Sequence, residues 1–324
     1  MKEYVIGVDL GGTAIKAGLV DITGAVRLKK TVPTDTSRGA DSILDAIKSA
    51  AGGLIAAAGK DGLGISGIGV GTPGAVDLKT GSIAGGAENL PGWKGAPLVP
   101  ALGEAFRLPV FASNDVTLNA LGEAMFGAGR GKNEVFCFAL GTGIGGGAVI
   151  GGKVHRGAGD AAAEVGHMTV KFDGRKCNCG SRGCLESYAS ATAIAREGKA
   201  ACRKDPQSLI LKSAGGRIGD VSAKDVFEAA GNNDAAAAEI VRKTGFYLGV
   251  GIANVINLFN PEVVIIGGGV SRAGRILIDE AREAVDRYGL ETNLKGVKIV
   301  LSRLHFTAGM LGAAALCWQE IRGL

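Results

Sequence analysis

The chain has 324 residues, 46% of them apolar, and its 36 basic and 31 acidic side chains leave a formal charge of +5. That length suits two cores of about 100–200 residues better than one. Charge is scattered without like-sign runs, which argues against a nucleic-acid face, and the 55 glycines show no three-residue period, which excludes a collagen-like chain.

The N-terminus passes from Met1-Lys2-Glu3-Tyr4 straight into a short apolar run without a signal-type cleavage site, so a cytoplasmic protein is expected. Residues 4–9, 14–20 and 25–32 are β-rich runs separated by glycine-bearing turns, which predicts an antiparallel meander. Asp41 and Ser42 offer caps for a helix reaching residue 58, and 65–70 reads as a further strand. The chain therefore opens β-β-β-α-β. A strand over 109–112 then leads through Asn114-Asp115 into a helical pattern starting near Val116.

Shifted by 130 residues, Leu10-Gly11 falls on Leu140-Gly141. Residues 136–140 form an apolar strand, Gly141-Thr142-Gly143-Ile144-Gly145-Gly146-Gly147 a glycine turn, and 148–150 a returning strand. A duplicated β-β-β-α-β unit would set two glycine hairpins facing each other across a cleft able to take a nucleotide's phosphates. Further on, a helix is expected over 186–203. Ser222-x-x-Asp225 resembles a helix N-cap, and Asp234 can start a helix to residue 259 that Pro261 ends. The apolar part of that helix, 246–259, carries Asn254 and Asn257 and is shorter than the roughly 20 residues of a membrane span, so no membrane partner is expected. Next come a strand over 262–266, the turn Gly267-Gly268-Gly269, a helix over 273–288, a strand over 297–301 and a final helix over 307–321.

In Asp9-Leu10-Gly11-Gly12-Thr13-Ala14-Ile15-Lys16 the glycine N–H groups, the Thr13 hydroxyl and the Lys16 charge suit a phosphate, and Asp9 suits a magnesium ion. A plain hairpin carries the same glycine pair, and no P-loop follows. Gly267-Gly268-Gly269 reads either as a flat surface for adenine or ribose or as tight strand-to-helix packing. Asn114-Asp115 reads either as a general base beside an amide or as a helix N-cap. His167, Cys177, Cys179 and Cys184 have the spacing and donor set of a tetrahedral zinc site, and four protein ligands make it structural, shaping a loop that carries Glu164 and Glu186. Cys137, Cys202 and Cys317 read as packing residues.

With these residues assembled, the chain resembles the ROK family of sugar kinases and sugar-responsive repressors, and within it the glucokinase branch. The resemblance rests on Asp9-x-Gly11-Gly12-Thr13-x-x-Lys16, Glu88-Asn89-Leu90-Pro91-Gly92-Trp93, Asn114-Asp115, the turn at 141–147, Glu164-x-Gly166-His167, the cysteine loop ending in Glu186, and Gly267-Gly268-Gly269. It implies an α/β, actin-like ATPase (ribonuclease H-like) fold. The domains would be 1–115, with a helix over 307–324 packing back on it, and 116–306, carrying the zinc loop. It implies Asp115 as base, with Gly74, Asn89, Asn114, Glu164, His167 and Glu186 holding the sugar, and His167 serving zinc and sugar together. ATP and magnesium would be held by Asp9, Gly11, Gly12, Thr13, Lys16, Gly141, Thr142, Gly143, Gly268 and Gly269. The reaction implied is phosphorylation of a hexose at its C6 hydroxyl. Glucose is the expected substrate, with mannose, N-acetylglucosamine, N-acetylmannosamine and fructose as the alternatives. Repressors of the family carry a helix-turn-helix domain ahead of this core, whereas here the phosphate strand begins at residue 4, so a catalytic member without a nucleic-acid partner is expected. A homodimer or homotetramer is the expected assembly.

Overall fold

Residues 3–33 fold as the expected meander in the computed structural model, which describes residues 3–87 and 89–323; Glu88, first in the Glu88–Trp93 motif, lies outside the described residues. Strands β1 (Glu3–Leu10), β2 (Ala14–Asp21) and β3 (Val26–Pro33) pair antiparallel, with Asp9 opposite Lys16 and Ile15 opposite Val32. Almost all of β1 is buried, as a central strand requires, whereas β3 alternates exposed and half-buried residues, as an edge strand does. Helix α1 (Ala40–Lys60) covers the sheet with Ile43, Ile47, Ala50, Leu54 and Ala58. It is apolar and long enough to cross a membrane, yet its apolar stripe is spent on this core. Asp41 and Ser42 do not cap it. The cap position is Gly39, and the buried Ser42 hydroxyl turns back to donate to Asp35 O and accept from Arg38 N–H.

Strand β4 (Gly64–Thr72) runs parallel to β1. A small hairpin, β5 (Ala75–Val76) and β6 (Ile83–Gly85), and helix α2 (Leu98–Phe106) precede β7 (Val110–Asn114), which is parallel to β4 and leads directly into α3 (Asp115–Phe126). Then come β8 (Val135–Leu140), β9 (Ile144–Ile150) and β10 (Lys153–His155). Because β9 starts at Ile144, Gly145, Gly146 and Gly147 lie in the strand, not in the predicted turn. At Gly147 the reason is space, since a Cβ there would meet Ala120 and the Val116 carbonyl 2.8 Å away.

The helix expected over 186–203 is broken into α4 (Glu186–Ala189) and α5 (Ala191–Lys204), because Ser190 is extended and its hydroxyl caps the second piece at Ala193 N–H. The short helices α6 (Leu209–Ser213) and α10 (Glu291–Leu294) escaped the periodicity, as did β5, β6, α2 and β10. Helix α7 (Ala223–Gly231) starts with the Ser222/Asp225 capping box, and α8 (Ala235–Phe259) is capped by Asp234. Strand β11 (Val263–Gly267), helix α9 (Arg275–Tyr288), strand β12 (Lys298–Leu301) and helix α11 (Ala308–Arg322) complete the chain. The five-stranded sheets have orders β3-β2-β1-β4-β7 and β10-β9-β8-β11-β12, which match position for position, as duplication requires.

The chain divides into one unit of residues 1–135, 147–163 and 303–324 and a second of 136–146 and 164–302. The first unit therefore extends past the expected limit at residue 115. Helix α3 belongs with it because it packs on α11, which also lies on β1 and β4. That packing is backbone against backbone. A Cβ on Gly7 or Gly69 would strike the Met310 or Ala313 carbonyl, and one on Gly122 would lie 2.5 Å from the Ala308 carbonyl. Gly69→Ala is accordingly expected to lower unfolding free energy by about 1–3 kcal/mol in a urea titration. Gly59→Ala, in helix α1 with open space around it, is expected to raise it by up to about 1 kcal/mol.

Candidate active site

In the first unit the turn joining β1 to β2 is closed by Gly11 N–H donating to Ala14 O at 3.1 Å. The Thr34 hydroxyl braces it, donating to Gly11 O at 2.7 Å. Neither Gly11 nor Gly12 needs a positive φ. What glycine supplies here is bare surface, and a Cβ on Gly12 would come 3.2 Å from the Asn89 amide nitrogen. Asp9, at the end of β1, lies 3.8 Å from Lys16 Nζ. Burial pushes its carboxyl above the usual carboxylate range, and the Lys16 ammonium opposes that shift. Lys16 also donates to Phe306 O at 3.4 Å. Gly309, on α11, is pressed against the Asp9 carboxylate, 2.7 Å from where its Cβ would stand.

At the end of β7, Asn114 is the N-cap of α3. Its Oδ1 accepts from Val116 N–H at 2.9 Å and Thr117 N–H at 3.1 Å, and its Nδ2 donates to Gly74 O at 3.2 Å. The capping alternative for Asn114-Asp115 is thus realised by Asn114, and Asp115 occupies the first helical position, where the helix dipole favours its anion. Gly74 has φ 84 and leaves no room for a side chain beside the Gly85 carbonyl. Trp93 of the Asn89–Trp93 segment is buried and donates from Nε1 to Thr72 Oγ1 at 2.8 Å, tying that segment to the end of β4.

In the second unit the turn after β8 is closed by Gly141 N–H donating to Gly143 O at 2.9 Å and held from α5 by Ala191 N–H to Gly141 O and Thr192 Oγ1 to Thr142 O. Gly268, with φ 83, would drive a side chain into the Leu140 backbone, so at this residue tight packing is the reason for glycine. Gly269 has open space around it, so the turn keeps a bare surface as well. Glu186 accepts Ile144 N–H at 2.9 Å, and Gly143 leaves room for its carboxylate.

The donor atoms of His167, Cys177, Cys179 and Cys184 all lie within 4.8 Å of one another. Cys179 Sγ to Cys184 Sγ and Cys177 Sγ to His167 Nδ1 are each 3.7 Å. A tetrahedral ion with bonds of about 2.3 Å to sulfur sets its ligand atoms about 3.8 Å apart, so the spacing fits zinc. Burial and the adjacent Cys177 and Cys179 push the Cys184 thiol up to about 12, whereas hydrogen bonds, first from the Ser181 backbone, hold the Cys179 thiol below its usual range. The loop is seated on α8, where Leu185 packs against Gly251 and Asn254 reaches Met168 Sδ. Glu164 is exposed at the start of a single 3-10 turn, Val165–His167. Cys137, Cys202 and Cys317 are buried, as expected of packing residues.

Sequence reasoning missed Asp160. Its buried carboxylate accepts from Ser113 Oγ at 2.6 Å and Val76 N–H at 3.1 Å, next to Asn114. Nothing local distinguishes it from an ordinary loop aspartate, since its partners lie 47 and 84 residues away in the chain.

A family model described as the ROK family matches residues 5–320. A glucokinase of Thermotoga maritima is 40% identical over 322 residues, covering 99% of each chain. A solved ROK family glucokinase from Streptomyces griseus, in complex with glucose and AMPPNP, is similar with a TM-score of 0.80 at 36% identity, over 97% of this chain and 98% of that one. A ROK hexokinase from Thermus thermophilus gives 0.82 at 33% identity, over 99% and 100%.

The division of roles at the start of α3 has a measurable consequence. Asn114→Ala, which takes the acceptor from Thr117 N–H and leaves Val116 N–H with Asp115 Oδ1, is expected to cost about 1 kcal/mol in thermal unfolding, whereas Asn114→Asp keeps the cap and most of that stability.

Proposed function

The chain belongs to the ROK family, and from that premise we propose that it transfers the γ-phosphoryl group of ATP to the C6 hydroxyl of a hexose, glucose in the first place. It has the actin-like ATPase fold of its solved relatives and is a sugar kinase. The observation that carries the reading is at residues 114–115. There Asn114 supplies the helix cap, and the Asp115 carboxylate, which accepts Val116 N–H at 3.0 Å, stands at the first position of α3, directly after the end of β7.

Asp115 accepts the C6 hydroxyl proton as that oxygen attacks the γ-phosphorus in line. The N–H groups of Gly12 and Gly143, the Thr13 and Thr142 hydroxyls and the Lys16 ammonium offset charge on the phosphoryl oxygens, Gly11 and Gly141 leave bare backbone beside them while their own N–H groups close the turns, and Gly268 and Gly269 form the surface for the nucleoside. Asp9 would hold magnesium, which when bound neutralises phosphate charge. Gly74, Asn89, Asn114, Glu164, His167 and Glu186 are assigned to the hexose by their positions in the family motifs. His167, Cys177, Cys179 and Cys184 would hold a structural zinc. With Nδ1 of His167 facing the thiols, its Nε2 is left for a sugar hydroxyl, so the metal orients a substrate contact. A kinase drawing on ATP belongs in the cytoplasm, and a homodimer or homotetramer is the proposed assembly.

Asp115→Ala is expected to lower kcat about 10²–10⁴-fold in a coupled ADP-release assay while calorimetric hexose binding persists; near-normal turnover would remove Asp115 as the base. The same assay run with glucose, mannose, N-acetylglucosamine, N-acetylmannosamine and fructose should give the highest kcat/KM for glucose, and another sugar in first place would overturn that choice. Cys179→Ser is expected to lose zinc, thermal stability and hexose affinity together. Wild-type protein purified without zinc by metal analysis would refute the structural site.

A further inference from the structure

One buried carboxylate is left unused by the phosphoryl-transfer reading. The Asp160 side chain is 0% exposed, and the donors Ser113 Oγ, Val76 N–H and Arg156 Nε converge on it at 2.6, 3.1 and 3.9 Å. The segment from Gly74 to Val76 is therefore held at both ends: Asn114 Nδ2 holds Gly74 O, and Asp160 holds Val76 N–H. Ser113, Asn114, Gly74, Val76 and Asp160 form a closed ring of bonds around the strand end that carries Asp115. A buried charge persists only when its acceptor sites are filled, and here Ser113 and Val76 belong to the frame of the acceptor site and Arg156 to the 156–160 turn itself. Asp160 also has φ 55, a conformation uncommon for a residue with a side chain and kept where the surroundings hold it.

We propose that Asp160 is a positioning residue for phosphoryl transfer, locking the end of β7 so that Asn114 and Asp115 are presented to the hexose in one geometry. The proposal rests on the reading of Asp115 as the base. Asp160 touches no reacting atom; it acts through its neighbours, and a displacement of Asp115 by about 1 Å is enough to cost up to about a hundredfold in rate. An amide at 160 would turn its NH2 end either toward Val76 N–H or toward the Ser113 hydroxyl and Arg156 Nε, so Asp160→Asn removes one acceptor from the ring with almost no change in volume.

The test is a double-mutant cycle with Asp115→Ala, in which kcat, the KM for ATP and the thermal midpoint are read for each protein. Asp160→Asn is expected to lower kcat about tenfold to a hundredfold on the wild-type background, with the KM for ATP within about twofold, and to change the residual rate of Asp115→Ala by less than about threefold. An equal loss on both backgrounds, or no loss on the wild-type one, would overturn the positioning role. Near-normal turnover of Asp115→Ala by itself would overturn the base assignment and the positioning role with it, so the two failures are told apart. Should Asp160→Asn not fold, Ser113→Ala takes its place in the cycle, removing one bond of the ring with the same pattern expected at smaller size.

Discussion

The first unit depends on how closely helix α11 approaches the sheet beneath it. Gly7 on β1 and Gly69 on β4 have no side chains, so helix carbonyls rest on the strands themselves. This contact does more than bury Met310, Leu311, Ala314 and Trp318. It brings Gly309 against the Asp9 carboxylate and lets the preceding segment offer Phe306 O to Lys16, so the glycine turn near the N-terminus is finished by residues some 300 positions later. Bulk at any of these points would lift the helix and with it the floor under Asp9.

In the second unit the corresponding role falls to Glu186. Its carboxylate takes Ile144 N–H at the end of the glycine turn and also lies 3.9 Å from Cys177 Sγ in the cysteine cluster. One side chain therefore joins the cluster to the turn. Each unit surrounds its glycine turn with groups from distant sequence, because a turn of bare backbone has few contacts of its own and takes its shape from what packs on it.

The elements most legible in the sequence are those governed by local chemistry. The β-rich runs and glycine-bearing turns of β1 to β3, the Ser222/Asp225 box, the Asp234 cap and the stop at Pro261 all act over a few residues, and all appear where expected. The misreadings share one cause. Ser42 was free to cap α1 by local rules but is drawn to Asp35; Ser190 interrupts a helical pattern because Ala191 N–H is claimed by Gly141 O; and Gly147 reads as a turn residue although it lies in a strand pressed on α3. In each case a specific partner outside the element, seven residues away for Ser42 and farther for the other two, outweighs a propensity worth under about 1 kcal/mol.

The sequence by itself determined the duplication, the three glycine turns, the Asn114-Asp115 pair and the donor set of His167, Cys177, Cys179 and Cys184, because each is written in residue type and short spacing. Only the tertiary structure decided that Asn114, and not Asp115, caps α3, that the thiol and imidazole donors converge at tetrahedral spacing, that α3 and α11 belong to the first unit, and that Asp160 stands behind the end of β7. Those outcomes depend on which distant groups meet once the apolar faces are buried, and burial is non-directional: it brings segments together without encoding, in any short stretch, which polar atoms will face one another.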